Sequence, residues 1–163
     1  MLRSSIRRFA VPLILFTVAG TTSQLSAACT SVQGHFEETL LPPPACTSPI
    51  LCTIAQMVGK LKGEARFTAV AVILSADTPS TGVIFVIGNS IVVNAELENK
   101  RGTLTIKNAA AYRTVGNGDL VDNQTITGGT GDFAGATGSL RISGAFLPAT
   151  GGTGHFEGTV CVP

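Results

Sequence analysis

Cys29–Glu37 reads CTSVQGHFE, and Thr153–Val162 reads TGHFEGTVCV. Laid antiparallel with Cys29 facing Cys161, the two segments also set His35 opposite His155. Cys29, Ser31, Gln33, His35 and Glu37 then share one face of the first segment, with Val32, Gly34 and Phe36 on the other. In the second segment Thr153, His155, Glu157, Thr159 and Cys161 oppose Phe156, Val160 and Val162. Successive strand residues point to opposite faces, so both segments are apolar on one side and polar on the other, in step. Pairing the first strand with the last closes a sheet on itself, and the expectation is a closed antiparallel β-barrel.

The chain between these ends reads as strand. Gly63–Asp77 (GEARFTAVAVILSAD) becomes apolar on both parities toward its end, and Thr81–Ile87 is almost continuously apolar. Ile91–Leu97, Thr103–Lys107, Ala109–Val115, Asp122–Thr127 and Ser139–Phe146 follow. Thr78-Pro79, Gly88-Asn89, Lys100-Arg101-Gly102, Gly116-Asn117-Gly118, Gly128-Gly129 and Gly151-Gly152 punctuate them, as turn residues do. Only Ile54–Leu61 could form a helical turn. Eight or so short strands fit either a barrel or a two-sheet sandwich, architectures that leave few open edges.

The N-terminal stretch differs in kind. Arg3, Arg7 and Arg8 precede an apolar run, Phe9–Ala19, and Ser26-Ala27-Ala28 offers small residues before Cys29. That order is the pattern of a removable signal peptide, Met1–Ala28. The run is too short for the roughly 20 residues that a membrane span requires. The remaining domain, residues 29–163, has lost three of eleven basic residues; eight stand against ten acidic ones, a net charge of about −2. With no basic patch, one Tyr and no Trp, nucleic acid is not an expected partner.

Four cysteines in an exported chain point to two disulfides. Cys46 and Cys52 bracket a short loop containing Pro49, which leaves Cys29–Cys161 to join the ends of the domain. The expected location is extracellular or periplasmic. Leu25–Cys29 also loosely resembles a lipoprotein processing site, which would anchor the chain through Cys29, although the large apolar residue sits one place too far upstream.

Ile126–Ile142 reads ITGGTGDFAGATGSLRI. This string resembles the allene oxide cyclase barrel family, and dirigent proteins carry a related version in a similar barrel. Gly63–Arg113 shares the likeness more loosely, through its strand order and Gly102-Thr103-Leu104. The string encodes a turn: Gly128, Gly129 and Gly131 permit unusual backbone angles and close approach, Phe133 tucks into the core, and Gly135 and Gly138 bend the chain onward. It is not a phosphate cradle, since strand rather than helix follows. The resemblance implies an eight-stranded barrel with an apolar interior, assembly into dimers or trimers, and one of two activities. One is cyclisation of a reactive fatty-acid epoxide; the other is steering of phenolic or terpenoid intermediates.

No catalytic residue transfers from that family, because the Pro-rich, cysteine-stapled Leu40–Thr53 segment departs from it. The chain's own strand-borne polar residues include Glu64, Arg66, Glu96, Tyr112, Arg113 and Arg141. Glu64 and Arg66 share parity with Val70, Val72 and Leu74; if that face turns inward, they form an ion pair at the barrel mouth. Tyr112 is a third catalytic candidate. His35 and His155, with Glu37 and Glu157, could hold a metal, but paired polar positions on a solvent face are the simpler reading, and no cofactor is expected. Asn123-Gln124-Thr125 fits a glycosylation acceptor. Three functions follow: a barrel binding a small apolar ligand, a cyclase-like or dirigent-like isomerase, or a structural protein. The last would have its lumen packed by Phe67, Phe85, Phe133, Phe146 and Phe156.

Overall fold

A computed structural model describes residues 27–163. The expected signal segment therefore lies outside the described residues, apart from Ala27 and Ala28. Eight antiparallel strands form one closed barrel in chain order: β1 (Ala28–Leu40), β2 (Cys52–Gly59), β3 (Leu61–Leu74), β4 (Val83–Leu97), β5 (Lys100–Arg113), β6 (Asp119–Gly131), β7 (Thr137–Leu147) and β8 (Gly151–Val162). Among the described residues there is one helix, α1 (Thr78–Thr81), a single turn between β3 and β4.

Closure occurs where the terminal segments predict it. β1 and β8 pair antiparallel with Cys29 opposite Cys161 and His35 opposite His155. Val32, Phe36, Phe156, Val160 and Val162 are buried on the inner face of this seam. A disulfide joins Cys29 to Cys161 across it, and a second joins Cys46 to Cys52. The Cys29 sulfur that lipidation would require is therefore already bonded.

Two readings need correction. Ile54–Leu61 is not helical: Cys52–Gly59 is strand β2, paired on both sides, and its inward residues Ala55 and Met57 supply core. Nor are all the expected breaks real: β6 continues through Gly128-Gly129 to Gly131, pairing them with Thr105 and Leu104, and Gly88-Asn89 is not a break either. β4 runs straight through it, because Phe67 on β3 lies over Gly88, where an added Cβ would come within 2.1 Å of the ring. Here glycine makes room for an aromatic ring and ends nothing.

The interior divides in two. At the end that holds the chain termini, Phe133, Phe156, Leu61, Leu97 and Leu104 are among the largest fully buried side chains. The β6–β7 turn plugs this end. Phe133 has no exposed surface, and Asp132 ties the turn down by accepting from the Arg101 backbone N–H at 2.9 Å. Gly131 (φ 61°) and Gly135 (φ 73°) supply the left-handed angles that such a turn demands. At the other end a smaller cluster, Ala69, Val86 and Ala110 with Leu51, Phe67 and Tyr112 against it, forms a ring rather than a plug.

Candidate functional site

Between the plug and the ring lies a cavity of about 110 Å³ in the lumen. Phe36, Met57, Val92, Ile106 and Ile142 line it toward the closed end, and Phe67, Ala110, Tyr112, Leu120 and Phe146 toward the open one. The phenylalanines do not fill the barrel. Phe133 and Phe156 close one end, Phe67 and Phe146 wall the cavity, and Phe85 sits on the outer wall, 43% exposed.

Polar side chains girdle this apolar space. Asp122 on β6 is buried, and its Oδ2 accepts from Asn108 Nδ2 at 2.7 Å and Gln124 Nε2 at 2.8 Å. Its Oδ1 accepts from the Ala109 backbone N–H at 3.0 Å. Asn108 in turn accepts from the Ser90 hydroxyl at 3.0 Å. On β1, Glu38 accepts from the buried Thr53 hydroxyl. Among the described residues no fully buried side-chain nitrogen or oxygen lacks a partner.

Electrostatics divide the two carboxyls. Burial pushes both pKa values up, because a carboxylate is poorly solvated in an apolar lumen. Asp122 is compensated by three donors, whereas Glu38 has one and also feels the negative charge of Asp122. Of the pair, Glu38 is therefore the group better suited to carry a proton, and Asp122 to carry the charge. Tyr112, also raised by burial, stands edge-on to Phe146 with ring centroids 6.2 Å apart, keeping its phenol neutral. The lumen thus combines two buried carboxyl groups of unequal hydrogen-bond supply and a phenol.

Tyr112 is the one catalytic candidate read from the sequence that lines this cavity. Glu64 and Arg66 do not face the lumen. They form a 2.7 Å ion pair on the outer wall, with Gln56 Nε2 donating to Glu64 at 3.2 Å. The parity argument fails at a bulge between Ala69 and Ala71, which shifts the alternation by one residue. Past it, Val72 and Leu74 pair with Val86 and Ile84 of the inner face, whereas Glu64 and Arg66 pair with the outward Val93 and Ile91. Of the remaining polar residues, Arg113 bridges Asp119 at 3.6 Å, Glu96 bridges Arg101 at 3.7 Å, and Arg141 is exposed.

His35 and His155 are neighbours on the outside of the barrel, both exposed, with Glu37 and Glu157 on the same face. Among the described residues no group of three or more His, Cys, Asp or Glu is placed to hold a metal ion. Asn123 is exposed on the outer face of β6.

Sequence reading missed Glu38, Asp122 and Asn108, and the first two were within reach. Glu38 has the parity of Val32 and Phe36, so extending the inner face of β1 by two residues finds it. Asp122 shares the parity of Gln124 and Ile126 on β6. No family model matches the chain, and no curated protein matches it.

Proposed function

We propose that this is an exported barrel that binds a small, mostly apolar molecule with one polar end in its lumen. The observation that carries the proposal is the placement of two hydrogen-bonded carboxyls, Glu38 and Asp122, in a carbon-walled cavity open at one end. Ligand pockets are commonly built this way, with apolar walls for affinity and a few polar groups for orientation. The size sets a limit: a dry cavity of about 150 Å³ holds benzene, so 110 Å³ suits a single small ring or a short chain segment. A larger ligand would extend through the mouth. Export is supported by the basic–apolar–small order of Met1–Ala28 and by two disulfides, which persist in oxidising compartments. No helix among the described residues is long and apolar enough to cross a membrane.

Cyclohexanone and cyclohexane, similar in shape and different in polarity, make the test. Calorimetry or protein NMR should show cyclohexanone binding at least tenfold more tightly, with shifts at Glu38 and Asp122. An Ala110→Phe variant, which fills the lumen, should abolish binding. Equal binding of both probes, or binding that survives Ala110→Phe, would refute the proposal.

A second reading, a cyclase-like or dirigent-like isomerase, is favoured by the unequal hydrogen-bond supply of the two carboxyls. A protonated Glu38 could donate to a ligand oxygen while Asp122 stabilises developing positive charge. The barrel and the Ile126–Ile142 string support placing such chemistry with the allene oxide cyclases. Under this reading Glu38→Gln keeps binding and loses turnover.

A further inference from the structure

Residues 29–163 carry eight Lys and Arg, the chain's eleven less Arg3, Arg7 and Arg8, and none of them lines the lumen. Among the described residues its titratable lining is Glu38 from β1, Tyr112 from β5 and Asp122 from β6, and every other lining side chain is uncharged. The approach is equally one-signed. The four loops around the mouth, residues 41–51, 75–82, 114–118 and 148–150, hold one charged side chain, Asp77. Arg113, at the rim end of β5, is bridged to Asp119. Donors and acceptors are unequal as well. The Asn108 and Gln124 amides and the Thr53 hydroxyl already donate to the two carboxyls, and the Ser90 hydroxyl donates to Asn108. An ionised carboxylate offers about four acceptor sites. Among the described residues Asp122 receives three donors, whereas Glu38 receives one, at Oε1.

Resting on the reading that the lumen binds a small molecule, we propose that its ligand is an organic cation, a protonated amine on one small ring or short carbon chain. An ammonium group brings N–H donors and no acceptor, which complements what the girdle leaves open. Its charge also offsets carboxylates that an apolar lumen solvates poorly. Phe36, Phe67, Tyr112 and Phe146 wall the cavity, and aromatic rings attract a cation placed over their faces. An anion would meet two carboxyls and no basic group. A ketone oxygen only accepts, so it depends on a proton kept by Glu38 or on the Tyr112 hydroxyl, and its affinity does not rise with pH. The amine behaves in the opposite way. Burial favours protons on Glu38 and Asp122, the ammonium favours their ionised forms, and binding releases such a proton to solvent. Amine affinity therefore rises with pH through the raised carboxyl values, while an alkylamine stays charged up to about pH 10.

Calorimetry on the disulfide-bonded mature protein at pH 8, with cyclohexylamine, cyclohexanone and cyclohexanecarboxylate, tests the proposal. The amine should bind about tenfold or more tightly than the ketone, the margin of a charge-assisted hydrogen bond over a neutral one. The carboxylate should not bind. From pH 5 to pH 8 the amine's affinity should rise, with proton release read from the dependence of the heat on buffer ionisation. Glu38→Gln should weaken the amine about tenfold or more and remove most of that rise. The wild-type comparison stands even if that variant fails to fold. A ketone that binds as tightly as the amine, or a carboxylate that binds, overturns the cation and leaves the lumen reading in place. An amine bound equally at both pH values, or still bound by Ala110→Phe, sits away from the buried carboxyls and also overturns it. Binding of none of the three overturns both the cation and the lumen reading.

Discussion

The two ends of this barrel are built from the same strands and do opposite things. At the terminal end the β6–β7 turn drives Phe133 into the lumen, Phe156 lies across Gly34, and the Cys29–Cys161 bond clamps β1 to β8. At the mouth the strands carry comparable aromatic residues, Phe67, Tyr112 and Phe146, yet these ring a cavity. The difference lies in what stands between the aromatics. The closed end has only carbon to pack, whereas the girdle of Glu38, Thr53, Asn108 and Asp122 must keep its hydrogen bonds and cannot collapse onto its neighbours. Polar groups that satisfy one another hold a lumen open, because closing it would strand them without partners.

If that division is correct, substitutions at the closed end should cost more. The Cys29–Cys161 bond spans a separation of 132 residues and the Cys46–Cys52 bond one of 6. In the chain-entropy treatment, replacing the first pair by alanine costs about 5 kcal/mol and the second about 2 kcal/mol. Equilibrium urea unfolding of the two double variants checks the ranking; equal losses would mean that native-state strain or residual unfolded-state structure, rather than loop length, sets what each bond contributes. Next in size is Phe133→Ala, expected to cost about 4 kcal/mol as a cavity-forming truncation at a fully buried site. Phe67→Ala, at the wall of a space already partly empty, should cost less than half of that by the same measurement. Asp122→Ala comes third: it leaves Asn108 and Gln124 without their acceptor and should cost about 2 kcal/mol.

Legibility in the sequence follows the same division. The seam was readable because β1 and β8 alternate cleanly and share a cysteine pair that fixes register. The plug was readable because the Gly128–Gly138 string announces its turn around Phe133. The site was harder to read, and the reason is local. A single bulge at β3 moves Glu64 and Arg66 outside, and nothing in GEARFTAVAVILSAD marks where the alternation slips. Both parities of that segment are apolar, so either register looks acceptable. Glu38 and Asp122 were overlooked for the opposite reason. A carboxylate is ordinarily taken as evidence of solvent, and here strict alternation puts each of them inside. Gly88 misled similarly, because a glycine that accommodates a ring from the adjacent strand looks in sequence like one that ends a strand.

The smallest expected effect is the most discriminating, because it reads the girdle directly. Burial raises the pKa of Glu38 above its ordinary 4.5, so the folded barrel holds that proton more tightly than the unfolded chain does. Its contribution to stability is complete in acid, below the ordinary value, and is lost as pH rises through the raised folded-state value. Asp122 acts in the same direction. Wild-type stability should therefore decline from mildly acidic pH toward neutrality, contrary to the usual case of surface carboxylates held down by ion pairs. Glu38→Gln keeps an oxygen to accept from the Thr53 hydroxyl and has no proton to lose. The variant should flatten the Glu38 part of the decline and gain about 1 kcal/mol at neutral pH, the scale of one imperfectly compensated buried polar group. Urea unfolding at pH 5 and pH 8 measures both quantities. If wild type and variant run parallel with pH, Glu38 titrates as though exposed to solvent, and the lumen is wet enough to solvate a charge. In that event the mouth would differ from the plug in hydration rather than in packing, and ligands entering the barrel would have to displace water held by Glu38 and Asp122.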